Sequence, residues 1–153
     1  MLENIARFFA ELHFQYTEQF LMALIPMSLT VICHGFGMGL VRSYFKQFGA
    51  SVGSHSASRT ILLVVIVAIM LTTHYFEIMI WAEFYFATDM IQNVKAAMYF
   101  SVESYTTLGA SNITLPGRWL GLEGFEALTA MLMFGWSTAI LVAVVNKVHS
   151  IDN

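Results

Sequence analysis

Three stretches of this chain are apolar over membrane length, and short polar segments separate them. Phe20 to Val41 holds about twenty residues without Asp, Glu, Lys or Arg, enough to cross about 30 Å of hydrocarbon. A second predicted span runs from Thr60 to about Trp81 or Phe86 and opens with the unbroken Ile61 to Leu71 run. The third covers Phe125 to Val145. Ahead of the first span, Ile5, Phe8, Phe9, Leu12, Tyr16 and Phe20 recur at helical spacing, with Glu3, Arg7, Glu11 and Glu18 elsewhere. That pattern predicts an amphipathic helix lying at the interface or leading straight into the span. Between the first two spans, Arg42 to Arg59 contains Gly49, Ser51, Gly53, Ser54, Ser56 and Ser58 without periodicity, which predicts a flexible turn. Gly35, Gly37 and Gly39 cluster in the first span, and Gly35 with Gly39 has the spacing that lets helices approach closely.

Composition fixes the class. Of 153 residues, 58% are hydrophobic and 11% charged, with a mean hydropathy of +0.68. Soluble domains carry about a quarter charged residues. An integral, all-α membrane protein is expected. The net charge of −3 and the lack of any basic run argue against nucleic acid. The single Cys33 allows no intrachain disulfide, and no cleavable signal peptide is expected from the acidic, aromatic first twenty residues. Arg42, Lys46 and Arg59 crowd one loop and Lys147 follows the last span, while Arg7, Lys95 and Arg118 spread over the other side. The positive-inside rule then places the amino terminus outside and the carboxyl terminus in the cytoplasm of a multi-pass protein of the plasma (inner) membrane.

Between the second and third spans lies Ser101-Val-Glu-Ser-Tyr-Thr-Thr-Leu-Gly-Ala-Ser-Asn112, too polar and too short to be another span. Ala97, Phe100 and Ser104, like Ala96, Tyr99 and Glu103, are helically spaced, so a short helix capped by Asn93 is expected to stop at Thr106 or Thr107. An extended Thr-Leu-Gly segment should follow. A helix ending this way between two spans predicts a re-entrant loop, since non-helical backbone at membrane depth must face protein or water. A bare ion in hydrocarbon costs on the order of tens of kcal/mol, and rings of backbone carbonyls can replace its hydration shell. One chain supplies only one edge of such a ring, so a homotetramer around a central pore is implied.

Ala96 to Gly109 resembles the pore helix and inner filter of the potassium-channel-like pore-domain family, whose signature reads Thr-Thr-Val-Gly-Tyr-Gly-Asp. The resemblance covers about Thr60 to Val145 and implies a pore helix over 95–106, a filter over 107–111 and an inner helix over 123–146. Residues 1–50 would then form an amphipathic segment with a peripheral helix, 51–59 a cytoplasmic linker and 60–153 the channel-like domain. The implied filter residues are Thr106, Thr107, Leu108, Gly109, Ala110 and Ser111. Glu103 sits where relatives place a bracing acid, with Asn112 as its expected partner, and Gly135 where they have a hinge glycine. Ala110-Ser-Asn112 departs from Tyr-Gly-Asp. Four serines held in the glycine conformation would cost a tetramer about 4–8 kcal/mol. A relaxed outer filter and weakened potassium selectivity follow. Asp89, Glu123 and Glu126 are expected near the outer mouth, as cation-concentrating or ordinary solvated charges. Thr129, Ser137 and Thr138 would wet the cavity or bond back to their own helix.

The function expected from this is passive passage of K+ or Na+, with no enzyme activity, no cofactor and no metal beyond the permeant ions. The expected partners are the lipid bilayer and further copies of the chain. A non-conducting, channel-shaped subunit of another membrane complex is the alternative. A further alternative lies in His74 and Glu77, three apart on one helix face, which could form a pH sensor or an intramembrane metal or redox site. Counting depth from the predicted span ends places His34 and His74 about 10 Å apart, poor geometry for one site.

Overall fold

The computed structural model describes residues 1–49, 56–109 and 112–149, and these contain helices, turns and irregular connections but no strand. The helices are α1 (Leu2–Phe48), α2 (Ser56–Ala87), α3 (Val94–Tyr105) and α4 (Leu122–His149), with a 3-10 turn at Gly117–Trp119. Among the described residues, three segments are long and apolar enough to cross a membrane: Tyr16–Phe48, Ala57–Ala87 and Gly117–His149.

The helices are longer than the hydropathy pattern predicts. α1 runs unbroken through 47 residues, about 70 Å at 1.5 Å per residue. The amphipathic amino-terminal segment thus leads straight into the first span. The polar connection shrinks correspondingly, because α1 passes Arg42 and Lys46 to reach Phe48 and α2 begins at Ser56. Lys and Arg are good helix formers, and Lys46 in the last turn complements the helix dipole. The remainder of the expected linker, residues 50–55, lies outside the described residues.

Each long helix buries one stripe. On α1 it runs through Gln19, Ala23, Pro26, Thr30, His34, Met38 and Val41, on α2 through Leu62, Ile66, Met70, Thr73, Glu77, Trp81 and Tyr85. On α4 it runs through Leu122, Glu126, Thr129, Met133, Ser137, Ile140, Val144 and Val148. The steps of three and four residues are those of a single helix face. Gln19, Thr30, His34, Thr73, Glu77, Glu126, Thr129 and Ser137 are the polar side chains on these stripes, while Ile61, Val64, Leu71, Leu128, Leu132 and Val142 point outward at 53–68% exposure. Apolar outside and polar inside is the arrangement a hydrocarbon solvent favours.

The chain packs as two compact units that are not consecutive in sequence, because each long helix supplies a stretch to both. The first comprises Met1–Leu29 and Ile78–Ala130. Its core gathers Ala23, Trp81, Tyr85, Phe100, Tyr105 and Leu122, among others, with Tyr85 and Phe100 edge to face at 5.1 Å. The buried Gln19 donates to the Arg118 carbonyl at 2.7 Å, and a Cβ at Gly121 would collide with the Gln19 amide oxygen. At the end of α2 the amides of Met90 and Ile91 both turn back to the Tyr85 carbonyl, with Asp89 left-handed at φ 55.

The second unit comprises Thr30–Glu77 and Met131–Asn153. Met38, Val41, Leu62, Ile66, Met70, Ile140, Val144 and Val148 form its apolar core. The close approach of α1 and α2 here depends on Gly37, where a Cβ would strike the Thr73 side chain. Gly35 and Gly39, the pair singled out by spacing, face open space instead.

Candidate functional site

α3 begins as its sequence predicts. The Asn93 side chain accepts from the Ala96 amide at 3.1 Å, satisfying one of the helix's unpaired donors. Ala97, Phe100, Ser101 and Tyr105 form the buried face. A carboxylate from α4 holds that face: Glu126, fully buried, receives the Tyr85 hydroxyl at 2.8 Å and lies 2.5 Å from the Ser101 hydroxyl. The Ser101 oxygen is also 2.9 Å from the Ile78 carbonyl. Glu126 is therefore a clamp within the core rather than a charge at a mouth. Its place on the buried stripe of α4, four residues after Leu122, turns it inward.

The helix ends in a Schellman turn. The Leu108 amide reaches back to the Glu103 carbonyl at 2.9 Å and the Thr107 amide to the Ser104 carbonyl at 3.1 Å. Thr107 occupies the left-handed position at φ 59, and Gly109 follows at φ 63. The segment after α3 is thus curled and not extended, because the last carbonyls of the helix recruit these amides. Glycine normally takes the position of Thr107. A β-branched residue there costs about 1–2 kcal/mol.

Thr106, Thr107, Leu108 and Gly109 are all exposed, Leu108 at 69%. Ala110 and Ser111 lie outside the described residues. A cavity of about 380 Å³ opens beside the turn, lined by Phe100, Glu103, Thr107, Gly109, Glu123 and Ala127 among others. Its electrostatics favour a cation, since two acids and the carboxyl end of α3 share it. Glu103 is 4% exposed, and its Oε2 has no hydrogen-bond partner among the described residues. The Tyr99 phenol bonds to the Glu103 carboxylate, and that bond with the nearby negative charge holds the phenol above its ordinary value. Asn112 is exposed and makes no bond to that oxygen. Glu123 and Asp89 are exposed as well.

Further along α4, Gly135 is exposed with open space around it. Thr129 and Thr138 bond back to the carbonyls of Phe125 and Phe134, both at 2.8 Å. Ser137 belongs instead to a cluster in the second unit. There His34 Nδ1 lies 2.8 Å from Glu77 Oε1, and His74 Nδ1 lies 3.1 Å from Glu77 Oε2. The two imidazole rings are 5.4 Å apart, so the predicted depth offset is overturned. Measured from the true helix ends, His34 is fourteen residues before Phe48 and His74 eighteen after Ser56. That leaves a depth difference of only about 6 Å, which side chains can bridge. The sequence reading names Ser137 as a cavity residue and sets His34 apart from His74; their meeting in one cluster, and the clamping role of Glu126, escape it. An apolar helix carrying its few polar residues at one helical phase is the signal that could have found them.

The chain matches no protein-family model, no curated protein and no solved structure.

Proposed function

We propose that this chain is one subunit of a membrane pore for monovalent cations, with the turn after α3 lining the ion path. The observation that carries this is Thr107, a β-branched residue in the left-handed region at the exposed end of a helix, beside a cavity holding Glu103 and Glu123. Backbone strain of this kind persists where surrounding structure enforces it, and it concentrates at functional sites. The exposed Thr106–Gly109 segment offers hydroxyl and carbonyl oxygens but forms only one wall, so closing a pathway requires further copies. A homotetramer is the closure that the resemblance to potassium-channel-like pores implies. In this arrangement the turn faces outside, the carboxyl terminus is cytoplasmic, and Ala110 with Ser111 weakens selectivity between potassium and sodium. Cation uptake by liposomes carrying the full chain tests the proposal. Sealed liposomes from a confirmed tetramer would move the assignment to a non-conducting subunit of another membrane complex.

A further inference from the structure

The histidine cluster of the second unit has no part in that pathway, yet it is built as a site. His34, His74 and Glu77 are buried on α1 and α2, and their ligand-capable atoms all lie within 4.8 Å of one another. Both Nδ1 atoms face the Glu77 carboxylate, at 2.8 and 3.1 Å. Both Nε2 atoms turn to a single hydroxyl, Ser137 Oγ, at 3.1 Å from His74 and 3.5 Å from His34. Ser137 Oγ in turn lies 4.0 Å from the Met38 sulfur.

Counting hydrogens separates two ways of completing this ring. The four contacts need four hydrogens, whereas an ionised Glu77, two neutral imidazoles and one hydroxyl supply three. One additional proton completes the ring by making one histidine cationic. A divalent cation between the two Nδ1 atoms and the carboxylate completes it differently. It leaves each imidazole with its hydrogen on Nε2, and both then donate to the two lone pairs of Ser137 Oγ. The serine hydrogen is freed to face Met38 Sδ.

We infer that His34, His74 and Glu77 bind one divalent transition-metal ion, with Ser137 fixing the orientation of both imidazoles. Two nitrogens and one carboxylate oxygen suit zinc and its first-row neighbours, not calcium or magnesium, which take oxygen donors. Zinc bonds of about 2.0–2.1 Å separate tetrahedral ligands by about 3.3 Å. The candidate ligand atoms lie within 4.8 Å of one another, and because His34 and His74 contact different oxygens of Glu77, at 2.8 and 3.1 Å, the carboxylate must turn or one ring must shift for both to share a single ligating oxygen. Three protein ligands leave one position for water or hydroxide. His74 and Glu77, three apart on α2, share a helix face, and His34 joins that helix to α1 through the ion.

The test uses the full chain in detergent, freed of any affinity tag, stripped with a chelator and titrated with Zn2+ or Co2+. One equivalent bound per chain is expected, with the visible absorption of tetrahedral Co2+. X-ray absorption on the zinc-loaded wild-type protein should show nitrogen and oxygen neighbours at about 2.0–2.1 Å and imidazole outer scattering. His34→Ala and Glu77→Gln should each lower occupancy at least tenfold, and Ser137→Ala should weaken binding about 10–100-fold. Cys33→Ser should change nothing. Helicity measured by circular dichroism identifies which variants fold. Stoichiometric binding that survives both His34→Ala and Glu77→Gln, or a folded wild-type protein that takes up neither ion, overturns the inference and leaves a proton-holding ring.

Discussion

Glu126 in the first unit and Glu77 in the second are both fully buried acids on membrane-length helices, but they keep different company. Glu126 meets hydroxyls from Tyr85 and Ser101, groups that carry no charge and bind no metal well. Glu77 meets two imidazoles, which can take a proton or a metal ion. The first acid therefore acts as an architectural clamp: it fixes α3, and with α3 the strained turn at Thr107. The second sits among side chains whose ligand-capable atoms gather within 4.8 Å of one another. A buried carboxylate is thus not informative by itself; its donors decide whether it holds structure or a ligand.

The largest effect expected from breaking this contrast is at the clamp. Glu126→Ala leaves the Tyr85 hydroxyl without its acceptor, at a cost of about 1–3 kcal/mol, and opens a cavity beside Ser101, which keeps the Ile78 carbonyl as its acceptor. Thermal unfolding in detergent should show a loss of about 2–5 kcal/mol. Glu126→Gln should stay close to wild type, because the amide oxygen still accepts from Tyr85 and the amide nitrogen donates to Ser101. A large loss in the Gln variant would mean that the charge, not the shape, of Glu126 holds α3.

A smaller effect is expected at the helix contact of the second unit. Gly37→Ala drives a methyl into Thr73 and should destabilise by about 1–3 kcal/mol in the same assay. Gly35→Ala and Gly39→Ala meet open space and should be neutral or slightly stabilising through helix propensity. Equal losses at all three positions would show that the neighbours of these glycines are further chains and not Thr73. The smallest effect is at the turn. Thr107→Gly removes the left-handed penalty and should stabilise the α3 end by about 1 kcal/mol. A destabilised variant would mean that the Thr107 side chain makes contacts worth more than its strain.

The sequence carried the spans and α3 well and the polar interior poorly, for a physical reason. Hydropathy averages over all faces of a helix, so it finds Ile61–Leu71 but is silent on which side Glu77 points. Asn93 was legible because a cap is a local event, and its bond to Ala96 is three residues long. The His34–His74 proximity was not, since it depends on where two helices end. Arg42 and Arg59 look like span boundaries to a charge count, although both helices continue past them. Likewise Glu126 lies one residue inside the predicted last span and reads as interfacial. Only the inward phase of α4 reveals it as buried. The glycine pair chosen by spacing meets nothing within the chain, whereas Gly37 meets Thr73.

The measurement that bears most directly on cation passage is ion flux into liposomes holding the purified full chain, with potassium, sodium and chloride gradients compared. Uptake of both cations without chloride is the expected result, with at most a modest preference for potassium. A confirmed tetramer that passes neither cation at any voltage or pH would contradict the pore and leave the turn at Thr107 without an ion to line.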